Sequence, residues 1–288
     1  MKTPQRTDFR FHHRLRVRWA EIDMQKIVFN SHYLMYVDTA IADYWRAMAL
    51  PYEHTMLSLE GDLYVKKATV EYHASARLDD QLDVAIRCSG VGTSSILFTC
   101  AIFRDEACLI SCDLVYVFAD PATQTSKPVP SVFREILQAY EADETMPILE
   151  VGNWADLGEL ARKVRTEVFV QEQGIAIDLE CDAADEIALH ALVRNRLGLP
   201  IATGRLLQHA PGVGRIGRMA VNRGLRGSRL GSRVLALLMQ AAAERGDREV
   251  LLHAQRSAQG FYTRLGFETR GEPFEEAGIA HIEMVHAL

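Results

Sequence analysis

The chain has 288 residues, of which 48% are hydrophobic and 24% are charged, and its formal net charge is −6. This length predicts roughly two domains, and the acidic balance argues against a nucleic-acid partner, because such partners select basic surfaces. No apolar stretch has the length of a membrane span, no signal peptide is evident, and five cysteines without CxxC spacing predict reduced thiols in the cytoplasm and no metal site.

The first 120 residues combine one long helix with extended strands. An extended segment at 11–18 is followed by a loop that carries Glu21 and Asp23, and then by a helix from about Ser31 to Ala49. Because that helix is apolar on nearly all sides, we expect it to be buried all round. Four strands are predicted to follow, at 63–73, 81–88, 94–103 and 107–118. The pattern predicts an α+β domain whose antiparallel sheet wraps round one long helix.

The segment VRWAEIDMQKIVFNSHYLMYVDTA resembles the opening of the hotdog-fold acyl-CoA thioesterases of the 4-hydroxybenzoyl-CoA thioesterase type, and the resemblance extends over about residues 10–135. It implies that Asp23 is the catalytic aspartate and that free N–H groups at the helix start hold the developing oxyanion. The family commonly has glycine three residues later, where this chain has Lys26. From the residues alone, Asp23 could instead be a loop-capping or salt-bridging acid, and His32 and Tyr33 could line the pocket or only pack. Because hotdog domains usually pair, the resemblance also implies a homodimer or tetramer.

A proline-rich stretch, Ala119–Pro130, ends the first sheet, and an amphipathic helix is predicted after it, over Ser131–Ala142. We therefore predict a hotdog domain at 1–130, a linker with a short helix at 131–147, and a second domain at 148–288.

The second half mixes helices with strands. Helices are predicted at 154–173, 230–245 and 258–265, and strands at 188–194, 200–208, 215–221, 249–255, 267–270 and 281–285. This order predicts an α/β domain with a mixed sheet flanked by helices.

The stretch Val221–Leu235 joins a strand to a helix through a glycine-rich turn that contains several arginines. Glycines allow a backbone to approach a ligand closely, and a helix N-terminus offers unpaired N–H groups and the positive end of the helix dipole. The stretch therefore predicts a cradle for a pyrophosphate, although a tight connection without a ligand would look similar.

This stretch resembles the acetyl-CoA loop of the GNAT N-acetyltransferase superfamily, a six-residue run that starts with Arg or Gln and has glycine in its fourth and sixth places. Arg226 and Gly231 match the first and last places, whereas Arg229 stands where the fourth-place glycine is usual. The resemblance implies that the amides of Met219 and Val221 polarise the thioester carbonyl. It implies the following acetyl-CoA-binding residues: Met219, Ala220, Val221, Arg226, Gly227, Ser228, Arg229, Leu230, Gly231 and Ser232.

A second match to the same superfamily is FYTRLGF, in which Tyr262 takes the place of the tyrosine that protonates the leaving thiolate. Standing alone, this tyrosine would be read as a core residue. A general base must also remove a proton from the amine acceptor. Its candidates, among which the residues do not decide, are Glu172, Asp185, Glu186 and His190.

The two resemblances together imply a bifunctional enzyme that uses acetyl-CoA or another acyl-CoA as co-substrate, without a metal. The first domain would transfer the acyl group to water, and the second would transfer it to an amine. The alternative is an acyl-CoA-binding sensor or scaffold in which one or both domains are inactive, and the departures at Lys26 and Arg229 keep that alternative open.

Overall fold

A computed structural model describes residues 3–276 and 278–288 of the chain. The chain divides into two compact units, one that ends at Met146 and one that covers Pro147–Leu288. No helix in the described ranges is both long enough and apolar enough to cross a membrane.

The first unit is built round an antiparallel sheet. Its elements are β1 (Phe11–Arg16), α1 (Asn30–Ala47), α2 (Tyr52–Ser58), β2 (Asp62–Tyr72), β3 (Gln81–Val91), β4 (Ser95–Arg104), β5 (Ala107–Ala119) and α3 (Ser131–Glu141). The five strands lie in the order β1-β3-β4-β5-β2, and every neighbouring pair is antiparallel. The long helix α1 packs against β1 and β3, so the predicted hotdog architecture is confirmed.

Only one side of α1 is buried. Tyr36, Ala40 and Tyr44 lie on that side, whereas Leu34 and Met35 on the other side are 38% and 41% exposed. The prediction that α1 is buried all round is therefore wrong for this chain. Its second apolar side has no sheet to pack against within the unit.

Helix α3 packs on the first unit. The ring of Phe133 is fully buried and stacks on Trp45 with 5.7 Å between the centroids. Tyr140 contacts Tyr44 edge to face at 5.1 Å. The segment predicted to be a linker with a short helix thus contributes that helix to the core of the first unit.

The second unit has a seven-stranded mixed sheet with helices beside it. Its elements are β6 (Ile148–Gly152), α4 (Trp154–Arg165), α5 (Ile177–Glu180), β7 (Leu189–Arg194), β8 (Pro200–Ala210), β9 (Val213–Val221), α6 (Leu230–Arg245), β10 (Glu249–Gln255), α7 (Gln259–Thr263), β11 (Glu268–Glu276) and β12 (Ile279–Ala287). The strand order is β11-β12-β10-β9-β8-β7-β6, and β9 with β10 is the parallel pair among these neighbours. The predicted mixed α/β sheet of a GNAT domain is confirmed.

The elements that the sequence did not predict are short. Helix α2 has 7 residues, strand β6 has 5 and helix α5 has 4, and runs of this length contain too few repeats to establish a period. The helix predicted over 154–173 is α4 continued by a π-helical segment, Thr166–Glu172, and Gly174 beyond it has a left-handed φ of 72°.

Candidate functional site

Asp23 lies in a tight hairpin. Its N–H donates to the carbonyl of Ile27 and its carbonyl accepts from the N–H of Lys26, both at 3.0 Å. Its Oδ1 accepts from the N–H of Gln25 at 2.8 Å. Lys26 has a φ of 62°, in the left-handed region that glycine favours. Lys26 therefore adopts the backbone conformation that a glycine in this place would adopt without strain.

The hairpin leads into the N-terminus of α1. The helix begins at Asn30, and no side chain caps it. The N–H of His32 donates to the carbonyl of Phe29 at 2.9 Å, whereas the N–H groups of Asn30 and Ser31 lack an acceptor within the helix. The N–H of Phe29 donates to the carbonyl of Glu21 at 2.9 Å, which ties the helix start to the loop that carries Asp23. The second carboxylate oxygen of Asp23 has no hydrogen-bond partner in the part of the chain that the structure describes. A carboxylate with a free oxygen and a helix start with free donors thus lie at opposite ends of one short loop.

Glu21 has a different environment from Asp23. It is buried, and it accepts hydrogen bonds from the hydroxyl of Tyr36 at 2.6 Å and from the N–H of Arg18 at 2.7 Å. Burial pushes the pKa of Glu21 upward, but these hydrogen bonds and the charge of Arg18 outweigh it, so the pKa is lowered. Glu21 is an ionised anchor between the loop and α1.

Near the same helix start, the hydroxyl of Tyr33 accepts from the N–H of Ala76 at 2.9 Å, and Tyr33 is buried. The ring of His32 packs edge to face on Phe29 with 6.1 Å between the centroids. Tyr33 therefore holds the helix to the sheet, and His32 lies at the partly exposed helix start.

In the second unit, the glycine-rich loop turns twice through left-handed conformations before α6. Gly227 has a φ of 88° and Arg229 has a φ of 64°. Between them, Ser228 donates to the carbonyl of Leu225 through its N–H at 3.2 Å and through its hydroxyl at 2.5 Å. The first N–H groups of α6, which the helix itself leaves unpaired, belong to Leu230, Gly231 and Ser232.

The side chain of Arg226 joins the loop to its surroundings. Its two Nη atoms each contact one carboxylate oxygen of Glu172 at 2.6 Å, and its Nε donates to the carbonyl of Val221 at 3.2 Å. The hydrogen bond from Arg226 lowers the pKa of Glu172 despite some burial, and the charge of Arg226 adds to the effect. Glu172 is therefore a weak proton acceptor, which disfavours it as the general base.

Strands β9 and β10 part immediately before the glycine-rich loop. Their parallel pairing runs from Val213 opposite Glu249 to Ile216 opposite Leu252. The register of β9 against β8 then shifts, and Arg218 at this bulge has a φ of 53°. The two strands consequently form a fork, defined here as the gap that opens beyond the Ile216–Leu252 pair.

Two backbone amides of β9 face the fork. The N–H of Asn222 donates to the carbonyl of Ile201 in β8 at 2.9 Å. Successive N–H groups of a strand point to opposite edges, so the N–H of Ala220 also points toward β8. Those of Met219 and Val221 point the other way, into the fork. Both amides that the resemblance assigns to the thioester carbonyl are therefore oriented toward the same gap.

Helix α7 meets the loop at its glycine. A Cβ added to Gly231 would lie 3.4 Å from the ring of Phe261 and 3.5 Å from a methyl of Val221, so the three residues pack closely. The next residue, Tyr262, is 8% exposed and contacts Phe267 edge to face. Burial raises the pKa of Tyr262 to about 12. Its hydroxyl is protonated at neutral pH and meets no hydrogen-bonding partner within residues 3–276 and 278–288.

Three other candidates for the general base are not placed at the fork by any contact that the structure describes. Asp185 is buried in ion pairs with Arg165, at 2.8 Å, and with Arg205, at 2.7 Å. His190 is buried, with its Nε2 2.9 Å from the carbonyl of Asp185, and burial lowers its pKa. Glu186 is exposed. The buried Arg165 was not a candidate from the sequence. The available signal was an arginine at a position that continues the buried side of α4.

Arg194 and Glu150 form a two-point ion pair at 2.6 and 2.7 Å between β7 and β6. Arg194 is therefore already paired on the surface of the sheet. Among the described residues, no group of three or more His, Cys, Asp or Glu side chains is arranged to hold a metal ion.

Comparisons with known proteins match the two units separately. The model of the acetyltransferase (GNAT) domain matches residues 170–288, and the model of the thioesterase-like superfamily matches residues 17–137. The chain is similar to the uncharacterized protein YyaT of Bacillus subtilis, with 33% identity over 148 residues that cover 50% of this chain and 97% of YyaT.

It is also similar to the uncharacterized N-acetyltransferase YjcF of Bacillus subtilis, with 32% identity over 123 residues that cover 42% of this chain and 86% of YjcF. Among solved structures, the YbaW probable thioesterase from Escherichia coli matches with 19% identity and a TM-score of 0.40, covering 44% of this chain and 96% of YbaW. The chain therefore belongs to the GNAT acetyltransferase family in its C-terminal half, and its N-terminal half matches the thioesterase-like superfamily, so that the chain is a fusion of the two domains.

Proposed function

We propose that the chain is a bifunctional enzyme of CoA thioesters. Its first unit hydrolyses an acyl-CoA, and its second unit transfers an acetyl or longer acyl group from CoA to an amine. The observation that carries the proposal is the fork between β9 and β10, where the amides of Met219 and Val221 face a gap that leads to the glycine-rich loop.

In the second unit, the pyrophosphate of acetyl-CoA binds to the loop that runs from Arg226 to Ser232. This segment offers free N–H groups and the positive end of the α6 dipole. The thioester lies in the fork, where the Met219 and Val221 amides stabilise the negative charge that develops on its oxygen. The amine attacks the carbonyl carbon, the C–S bond breaks, and the thiolate takes the hydroxyl proton of Tyr262. The nitrogen loses one proton to a base, and that proton restores the Tyr262 hydroxyl through solvent.

In the first unit, Asp23 acts on the thioester either by activating a water molecule or by attacking the carbonyl directly. Its free oxygen is the reacting atom, because the other oxygen is held by the N–H of Gln25. The unpaired N–H groups at the start of α1 stabilise the oxyanion. The acyl group leaves as a carboxylic acid and CoA leaves as the thiol.

We further propose that the first unit assembles into a homodimer or tetramer. Strand β2 is at the edge of its sheet and exposes Tyr64, Val65 and Tyr72, while Leu34 and Met35 are exposed on α1. Unpaired strand edges and grouped apolar side chains favour association between chains. The five cysteines are all free thiols, which fits a reducing compartment such as the cytoplasm.

The left-handed conformations of Lys26 and Arg229 support enzyme activity over a role as a sensor or scaffold. At both positions a residue other than glycine keeps the backbone path that glycine would allow. The departures from the family patterns therefore leave the shape of each loop intact.

The experiment that tests the proposal is the release of free thiol from a panel of acyl-CoAs, acetyl to long-chain and aromatic, with and without added amines. Release without an amine supports hydrolysis and identifies the acyl chain, and it should disappear in Asp23→Asn. Release that needs an amine supports transfer, and it should slow in Tyr262→Phe. Bound CoA without any thiol release would contradict the proposal and favour the sensor or scaffold.

A further inference from the structure

His253 occupies the branch point of the fork. It is the residue of β10 that directly follows Leu252, the last partner of β9 in the parallel ladder. Its side chain is 26% exposed. Because side chains alternate along a strand, His253 and Gln255 point to the same face of the sheet. Gln255 donates from Nε2 to Oε1 of Gln173 at 3.1 Å, so this face is the one beneath the end of the π-helical segment.

Open space adjoins His253 on this face. Arg215 of β9 reaches His253 with 3.1 Å between its Nη2 and the ring Nδ1, so both side chains lie on one face. Gly217 follows two residues after Arg215 and thus faces the same way. A Cβ added to Gly217 would meet no atom within 4 Å. A small molecule can therefore reach the fork beside the imidazole.

Two carboxylates and an aromatic ring surround the imidazole. Oε2 of Glu276 lies 3.3 Å from Nδ1, and Oε2 of Glu283 lies 3.7 Å from Nε2. Phe274 meets the ring edge to face with 4.8 Å between the centroids, and His281 stacks on the other side of Phe274 at 6.0 Å. These neighbours come from β11 and β12 and include one apolar wall. Oε1 of Glu283 pairs with Nε of Arg270 at 2.6 Å, whereas Glu276 has no arginine or lysine partner among the described residues, so Glu276 is the carboxylate that can attract a cation here.

Nδ1 of His253 has a hydrogen-bonding partner both with and without a proton. When Nδ1 is unprotonated, its lone pair accepts from Nη2 of Arg215. When it carries a proton, it can donate to Glu276. A general base must gain and lose a proton in every turnover, and an environment that fits both forms suits that role.

We propose that His253 is the general base of acyl transfer and that the acceptor is a cationic amine drawn to Glu276. The inference rests on the proposed transfer activity. The ammonium displaces Nη2 of Arg215 from Nδ1, and Nδ1 takes one proton from it and passes that proton to solvent, which frees the lone pair of the amine nitrogen. The nitrogen attacks the carbonyl carbon, and the C–S bond breaks. The thiolate takes the proton of Tyr262, and the second proton lost by the nitrogen restores that hydroxyl through solvent.

The test compares His253→Gln with the wild type over a range of pH, using acetyl-CoA and a panel of primary diamines and neutral amines. His54→Gln is the control for a histidine substitution, since His54 is an exposed histidine on α2 of the first unit. Charged or titratable groups around the His253 ring can also shape the dependence of kcat on pH. They are Arg215 on β9, Glu276 and Arg270 on β11, and Glu283 and His281 on β12.

We expect His253→Gln to lower kcat about 100-fold, the usual scale for a lost general base, and to remove the acidic limb of the profile. The KM for acetyl-CoA should not change, and His54→Gln should behave as the wild type. A His253→Gln variant with the wild-type rate and acidic limb would overturn the inference while leaving the transfer activity established. A wild type that transfers acetyl to none of the amines would overturn the proposed activity and the role of His253 together.

Glu276→Gln gives a second readout, the preference between classes of amine. We expect the KM for diamines to rise, whereas the KM for neutral amines should stay the same, because only the former gain from the carboxylate. An equal effect on both classes, or no effect on either, would contradict the preference for a cationic acceptor.

Discussion

The buried ion pairs of Arg165 give a prediction whose size follows from the structure. Arg165 and Glu180 are each 1% exposed. The guanidinium contacts both oxygens of Asp185, at 2.8 and 3.0 Å, and donates to the side chain and the carbonyl of Glu180. Arg165→Met keeps most of the apolar volume of this side chain but removes every one of these contacts.

The two carboxylates respond differently to Arg165→Met. Asp185 keeps its ion pair with Arg205, at 2.7 Å. Glu180 loses its cationic partner and keeps a contact with the thiol of Cys181, 3.0 Å away. Breaking a buried pair on one side costs about 3–5 kcal/mol, because the remaining charge is desolvated and unpaired. We expect the free energy of unfolding of the second unit to fall by about that amount at neutral pH.

The loss should depend on pH in a defined direction. Burial raises the pKa of Asp185, but hydrogen bonds from Arg165 and Arg205 outweigh it and lower the pKa below its unfolded value. A lowered folded pKa gives stability that is present above the unfolded value, near pH 4, and is lost as the pH falls through the folded value. The difference between the wild type and Arg165→Met should therefore shrink as the solution is acidified below about pH 4.

The assay is urea denaturation, with unfolding monitored by hydrogen exchange of peptides from β7 and β8. These peptides report the stability of the second unit separately from that of the first. Lys163→Met on the same helix is the control. Lys163 forms an exposed ion pair with Glu159 at 2.9 Å, and such pairs contribute about 0–1 kcal/mol. An Arg165→Met variant that is no less stable than Lys163→Met, or whose deficit grows in acid, would refute the reasoning.

Three further predictions concern the two candidate sites. Asp23→Asn should abolish acyl-CoA hydrolysis while CoA still binds, because the amide oxygen can keep the Gln25 hydrogen bond. Thiol release in single turnovers measures this, and a wild-type rate would exclude Asp23 as the catalytic residue. Tyr262→Phe should slow acetyl transfer by more than about tenfold with an unchanged unfolding midpoint, since the hydroxyl has no described partner; an unchanged rate would make Tyr262 a core residue. Arg229→Gly should leave the KM for acetyl-CoA unchanged, because its φ of 64° suits glycine; a raised KM would reveal a contact between the arginine side chain and CoA.

Much of the fold can be predicted from short-range patterns. Strands β2 to β5 and helix α6 lie within a few residues of the predicted ranges, because each pattern repeats several times within one element. Gly246 has a φ of 93° immediately after α6, as its place at the end of that helix indicated. The family memberships were also accessible, since the segments that carry them are continuous in sequence.

Other features depend on side chains that are distant in sequence. Asp185 and His190 were reasonable candidates for the general base as isolated residues. Only the fold shows that Asp185 forms ion pairs with Arg165 and Arg205 and that His190 is buried. A polar residue within the apolar run of β10 was the one local signal for His253.

The sequence by itself determined the two family matches, the order of most elements and the position of the glycine-rich turn that is proposed to hold CoA. A glycine-rich turn or an amphipathic period is encoded by residues that are neighbours in the chain. Tertiary structure decided where β9 and β10 part and which side chains surround His253. Those neighbours, Arg215, Glu276 and Glu283, come from three strands. Strand register and burial bring them together, and neither is set by the residues within one element.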